Sequence, residues 1–157
     1  MAVPAQRAPR VPAWKLGLVA LALVAAVFAA FAPALGAHFI NWDDPSNLED
    51  LARGAGDPWH WFTTTGSVDP YQPLSWWSLS IDHALWGLSP GLDAPQAARF
   101  HATSVLIHAL AAVAFFFVAR RLLAITVNDA SERWSVPAAA LAALLFAVHP
   151  LRCESVV

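Results

Sequence analysis

Residues 39–45 read F-I-N-W-D-D-P, which sets two carboxylates, Asp43 and Asp44, side by side directly after a long apolar run. Close like charges push one carboxyl pKa upward, and a raised carboxyl suits a general base working near neutral pH. Such a pair can hold one group ionised while the other accepts or relays a proton. Asp44 also has a simpler role open to it. Asp at an N-cap followed by Pro at the first helical position is an ordinary helix start, and the chain repeats the dipeptide at Asp57-Pro58 and Asp69-Pro70. Capping needs one carboxylate, so Asp43 has no comparable structural role and is the stronger candidate base. Asp44 is then its cap and electrostatic neighbour.

A second polar set, H-P-L-R-C-E-S, occupies 149–155. His149 and Glu154 are five apart, roughly 140° on an ideal helix, and Pro150 opposes a regular helix there. The planar guanidinium of Arg152 is shaped to bind a phosphate or to pair with Glu154. Polar residues at a helix mouth are equally ordinary interface decoration. His101 and His108 are seven apart and share a helix face, a spacing open to haem or metal but more simply to hydrogen bonding within a bundle. Ser104 makes no triad with either histidine, and no Gly-rich phosphate loop, Walker motif or C-x-x-C is present. A divalent metal is compatible with the acidic pair, but nothing in the sequence supports one. The single cysteine, Cys153, rules out an internal disulfide and reads as inert packing.

The elements that must position these residues follow from composition. The chain has 157 residues, 58% hydrophobic and only 13% charged, against about 25% charged in an ordinary soluble domain. That points to an all-α integral membrane protein. A net charge of −2 gives no field for nucleic acid. Residues 16–41 contain no Lys, Arg, Asp or Glu, and about 20 residues suffice to span a bilayer core. The run is longer than the h-region of a cleaved signal peptide. The expected organisation is a tail at 1–13, transmembrane helices at 14–35, 101–120 and 136–149, a long loop at 36–100, a short loop at 121–135 and a final segment at 150–157. Pro33 is expected to kink or end the first span.

Orientation comes from basic residues in short flanks. Arg7, Arg10 and Lys15 precede the first span, and Arg120, Arg121 and Arg133 lie between the second and third, whereas the long loop has only Arg53 and Arg99. The N-terminus is therefore expected in the cytoplasm and the long loop in periplasm or lumen. The third span then runs outward and delivers 149–155 to the same face as Asp43 and Asp44. Eight of the eleven acids and six of the eight tryptophans fall in or beside the long loop, so it is too aromatic to be disordered. Leu74, Trp77, Ile81, Leu85 and Leu88 repeat at helical steps. Pro73 and Gly87 bracket the helix, and Ser75, Ser78 and Asp82 fall on another face. An amphipathic helix with Trp on its apolar side would lie in the membrane interface or pack on further spans. A shorter helix after Pro45 would turn Leu48 and Leu51 inward.

Taken in order, F-I-N-W-D-D, Y-Q-P-L at 71–74, F-H at 100–101 with His108, and L-F-A-V-H-P-L-R-C-E-S-V-V at 145–157 resemble the N-terminal part of the membrane O-mannosyltransferases that carry tetratricopeptide repeats, and their bacterial relatives. These are GT-C class polytopic glycosyltransferases. The resemblance implies a polyprenyl-phosphate-linked hexose donor, typically mannose, and a Ser or Thr hydroxyl acceptor. It also implies inverting transfer at the outer face of a bacterial inner membrane or the endoplasmic reticulum. It carries Asp43 and Asp44 over as the catalytic acids, and His149 and Glu154 as donor or acceptor contacts; Arg152 is added here as partner of the leaving phosphate. Family members continue through more spans and then repeats, so the chain reads as an N-terminal fragment, inactive alone. Two other functions compete: a non-catalytic membrane assembly or lipid-binding module, and a haem- or ion-handling protein using His101, His108 and His149.

Overall fold

The computed structural model describes residues 11–39, 44–54, 57, 59–64, 71–87, 94–126 and 132–153. Among these residues every regular element is helical. The α-helices are α1 (Ala13–Ala30), α2 (Asp44–Arg53), α3 (His60–Thr63), α4 (Pro73–Trp86), α5 (Ala94–Thr126) and α6 (Glu132–Ala147), with 3-10 turns at Ala32–Gly36 and Pro150–Arg152. Two helices are long and apolar enough to cross a membrane, α1 over its whole length and α5 over Gln96–Thr126; the apolar stretch of α6, Trp134–Ala147, is shorter. The chain divides into two units, one of Met1–Ala32 with Ser104–Val157 and one of Pro33–Thr103.

In the first unit α1 packs on α6. The contact is made close by small residues: Ala139, Ala143 and Ala147 are wholly buried at steps of four along α6. Such a stripe lets helix backbones approach, the usual means of association where lipid removes the hydrophobic drive. Leu23 and Phe116 complete that core, with Val19, Val113 and Leu123 against it. The outer sides stay apolar and exposed, as at Leu18, Leu21, Leu110, Val118, Leu141 and Leu145. Pro33 acts as expected. The α-helix stops at Ala30 and the chain tightens into a 3-10 turn at Ala32, because Pro has no N–H and disfavours α geometry in the residue before it.

The other unit has its own core of Leu48, Leu51, Trp61, Trp76 and Phe100. Leu48 and Leu51 of α2 point inward as their spacing requires. Trp61 is its centre. It is 1% exposed, stacks on Trp76 at 4.5 Å with 15° between ring planes, and donates its Nε1–H to Ser80 Oγ at 2.7 Å. Gly54 ends α2 where that ring passes. A Cβ at residue 54 would stand 2.5 Å from Trp61 Cζ2, so only glycine fits.

α4 runs between its expected brackets, Pro73 and Gly87. Gly87 has φ 69 and ψ 177, a region open essentially to glycine alone, and its N–H caps His83 O at 2.8 Å. One face of α5 then grips the end of α4. Gln96 Nε2 donates to Gly87 O at 2.9 Å, Arg99 lies over the Trp86 ring at 5.3 Å, and Thr103 Oγ1 donates to Asp82 Oδ1 at 2.7 Å. Residues 96, 99 and 103 share a helix face by the 3.6-residue period.

The second apolar helix differs from its expected bounds of 101–120. α5 starts seven residues earlier and ends six later. Its first two turns are tied into the Trp61 unit, and Arg120 and Arg121 do not stop it because Arg is a good helix former. α6 likewise begins at Glu132 and accommodates Pro137 in its second turn.

Candidate functional site

α2 opens at Asp44, whose carboxylate lies in the first turn. There it favours the helix dipole; the Asp-Pro pattern places it one position earlier, as the N-cap with Pro45 as the first helical residue. Asp57 performs the analogous task for α3: its Oδ1 accepts from Trp59 N at 2.9 Å and its carbonyl from His60 N at 3.2 Å. Asp43, the partner acid, and Glu154 lie outside the described residues. The buried acid of α2, Asp50, pairs with Arg53 one turn on.

What α2 brings to Asp44 is a histidine. His101 on α5 is 6% exposed and the Asp44 carboxylate acts on it electrostatically. Its ring lies 6.2 Å from that of Phe39, the residue that opens F-I-N-W-D-D, and Phe39 also meets Phe100 edge-on at 5.8 Å. Phe39 thus stands between the Phe100 and His101 rings on the apolar side. His101 Nε2 is buried and meets no hydrogen-bond partner among the described residues. Leaving a buried polar atom unpaired costs about 1–3 kcal/mol. Sequence reasoning weighed His101 with His108, as a haem or metal residue or, more simply, as a hydrogen-bonding residue within a bundle. The signal for its true neighbour was the F-H dipeptide at 100–101, whose phenylalanine belongs to the core around Leu48 and Leu51.

His108 shows the contrast. It is equally buried, at 7%, yet its Nε2 bonds Ala147 O at 2.9 Å, and Phe31 and Phe146 flank the ring at 5.3 and 5.7 Å. The reason lies in how α6 ends. In a continuing helix Leu151 N–H would reach Ala147 O, four residues back. Pro150 breaks that register, freeing both groups. His149 Nδ1 accepts from Leu151 N at 3.2 Å, and His108 takes the carbonyl. Two histidines therefore replace one lost backbone bond. His108 latches the bundle through Nε2, and His149 has a capping role with one ring nitrogen engaged. Arg152 places its guanidinium 4.4 Å from the Phe146 ring centroid. Cys153 is an exposed thiol, not the packed one expected. These residues belong to one unit and Asp44 and His101 to the other.

Asp82 is the remaining acid with a shaped environment. It is 3% exposed. Burial pushes its carboxyl above the ordinary aspartate range, while hydrogen bonds from Thr103 and Trp86 oppose the rise less strongly. Among the described residues no three His, Cys, Asp or Glu side chains gather as a metal site.

The outward side of the same unit is apolar. Leu74, Trp77, Ile81 and Leu85 of α4 are 69%, 42%, 42% and 64% exposed, while Trp76 and Asp82 are buried. The helix has turned its leucine row away from the chain and a carboxylate toward it, the reverse of a water-facing helix. Comparison with protein-family models, curated proteins and solved structures finds no match for the chain.

Proposed function

We propose that this protein is a membrane glycosyltransferase resembling the GT-C class O-mannosyltransferases. It would take a sugar from a polyprenyl-phosphate carrier at the outer face of the bilayer and pass it to an acceptor hydroxyl. The observation that carries the reading is the arrangement around Asp44. A carboxylate at the head of α2 acts on a buried histidine, in a unit whose α4 turns an uncharged row outward. An acid site beside a lipid-compatible surface suits a donor whose tail must stay in the bilayer while its phosphate and sugar sit at the boundary.

In this reading Asp43 or Asp44 removes the acceptor proton as the lipid phosphate departs. Arg152 offers a positive partner to that phosphate; its guanidinium is held over Phe146. His149 supplies its second ring nitrogen, and Glu154 a further contact. Three spans, a cytoplasmic N-terminus and an outer loop at 36–100 complete the topology. A specific observation favours the non-catalytic module as second reading: His108 and His149 both have structural hydrogen bonds, so part of the polar set is explained without chemistry.

Donor binding separates the two. Held in nanodiscs as its gene encodes it, the protein is expected to retain radiolabelled polyprenyl-phosphate mannose saturably, with competition by polyprenyl phosphate, and Arg152→Ala is expected to weaken retention about 10-fold, as for a lost charged hydrogen bond. Retention indistinguishable from empty nanodiscs would refute the transferase; unchanged affinity in Arg152→Ala would remove only the arginine's role.

A further inference from the structure

We propose that His101 receives the proton removed from the acceptor hydroxyl, with Asp44 carrying the countercharge of the imidazolium that forms. The inference rests on the transferase reading and adds to it a residue that neither the spacing nor the resemblance assigned to the reaction.

Two histidines on α5, seven residues apart, are buried to the same degree but used differently. His108 spends its Nε2 on the Ala147 carbonyl. His101 spends its Nε2 on nothing among the described residues, although a buried polar atom is normally paired. A histidine kept only for packing would be better served by an apolar ring, since its ring neighbour is Phe39, itself packed on the Phe100 core. An imidazole with an unused ring nitrogen is a side chain that can accept a proton. A carboxylate that acts on the ring supports the cation once formed. Asp44 is that carboxylate, and its place in the first turn of α2 keeps it there.

The step balances as follows. The acceptor hydroxyl loses its proton through the acidic site to His101 Nε2. The hydroxyl oxygen forms a bond to the anomeric carbon. The bond from that carbon to the phosphate oxygen breaks, and its electron pair leaves on the polyprenyl phosphate. One positive charge appears on the ring and one further negative charge on the phosphate. The imidazolium later returns its proton to water. In this scheme His101 is a proton-holding partner of the carboxylates, and it needs no contact with the sugar.

The test uses the full chain in nanodiscs with ring-¹⁵N-labelled histidine. The expected spectrum shows His101 Nε2 without a proton and without a hydrogen bond, while His108 Nε2 is hydrogen-bonded. Asp44→Asn, which keeps the shape of the side chain, is expected to shift both His101 ring resonances and leave those of His108 in place. A protonated or hydrogen-bonded His101 Nε2, or resonances indifferent to Asp44→Asn, overturns the proposal whether or not transfer occurs. In the transfer assay, His101→Gln should lower kcat by roughly 100-fold or more, as for a lost proton acceptor, with donor KM unchanged. Wild-type kcat in His101→Gln overturns the proposal alone. A wild-type protein that shows the expected spectrum but transfers no sugar overturns the transferase reading and this role with it.

Discussion

At the scale of single residues, hydrogen-bond accounting distinguishes side chains that composition could not. His149 and His108 together replace the backbone bond that Pro150 removes from α6. His108→Phe keeps the ring volume but strands the Ala147 carbonyl, and should cost about 1–3 kcal/mol, read as a lower midpoint in thermal unfolding of the nanodisc-held protein. Asp82 makes a pH prediction. Its folded carboxyl is raised by burial, so the fold favours the protonated form. That contribution is complete below the ordinary aspartate value and is lost as pH rises through the raised one. Relative to Asp82→Asn, whose amide oxygen can still accept from Thr103, the wild type should therefore lose stability as pH rises above the ordinary aspartate value. Parallel melting curves across that range would count against the buried acid. The sequence showed Asp44 as a helix head because Asp-Pro is a local pattern. It did not show His101 as its neighbour, because that proximity joins residues 57 positions apart and depends on how α2 and the start of α5 share one core.

At the scale of elements, local chemistry was most readable where glycine and proline set the boundaries. Pro33 ends the first α-helix, Pro73 and Gly87 delimit α4, and Leu48 with Leu51 orient α2. The ends of α5 were not readable. In A-P-Q-A-A-R-F only Pro95 hints at a helix start, with no apolar period joining it to the long apolar stretch, and the interactions of Gln96, Arg99 and Thr103 that fix it there are tertiary. The close passage of Trp61 over Gly54 was equally hidden. Gly54→Ala should destabilise that unit by about 1–3 kcal/mol through overpacking, measured by loss of the Trp61–Trp76 near-UV circular dichroism at lower temperature. For α4 the orientation is directly checkable. With brominated lipids, Trp77 should be quenched strongly and Trp76 weakly, in variants that retain one of the two and carry Phe at the other tryptophans. Equal quenching would show that the exposed row does not meet lipid.

At the scale of the whole molecule, an apolar composition with few charges announced a membrane protein, and the two long helices agree with it in length and hydropathy. The reading of function rests on fewer atoms. It depends on whether the carboxylates after the first span do chemistry or only begin a helix, since Asp44 is fully compatible with both. The decisive measurement is sugar transfer from radiolabelled polyprenyl-phosphate mannose to a Ser/Thr peptide, by membranes carrying the protein as its gene encodes it, beside the variants Asp43→Asn and Asp44→Asn. The expected result is transfer by the wild type and its loss in both variants, with each still inserted in the membrane. Transfer at the wild-type rate in both variants would contradict the catalytic account and leave the acids as helix caps.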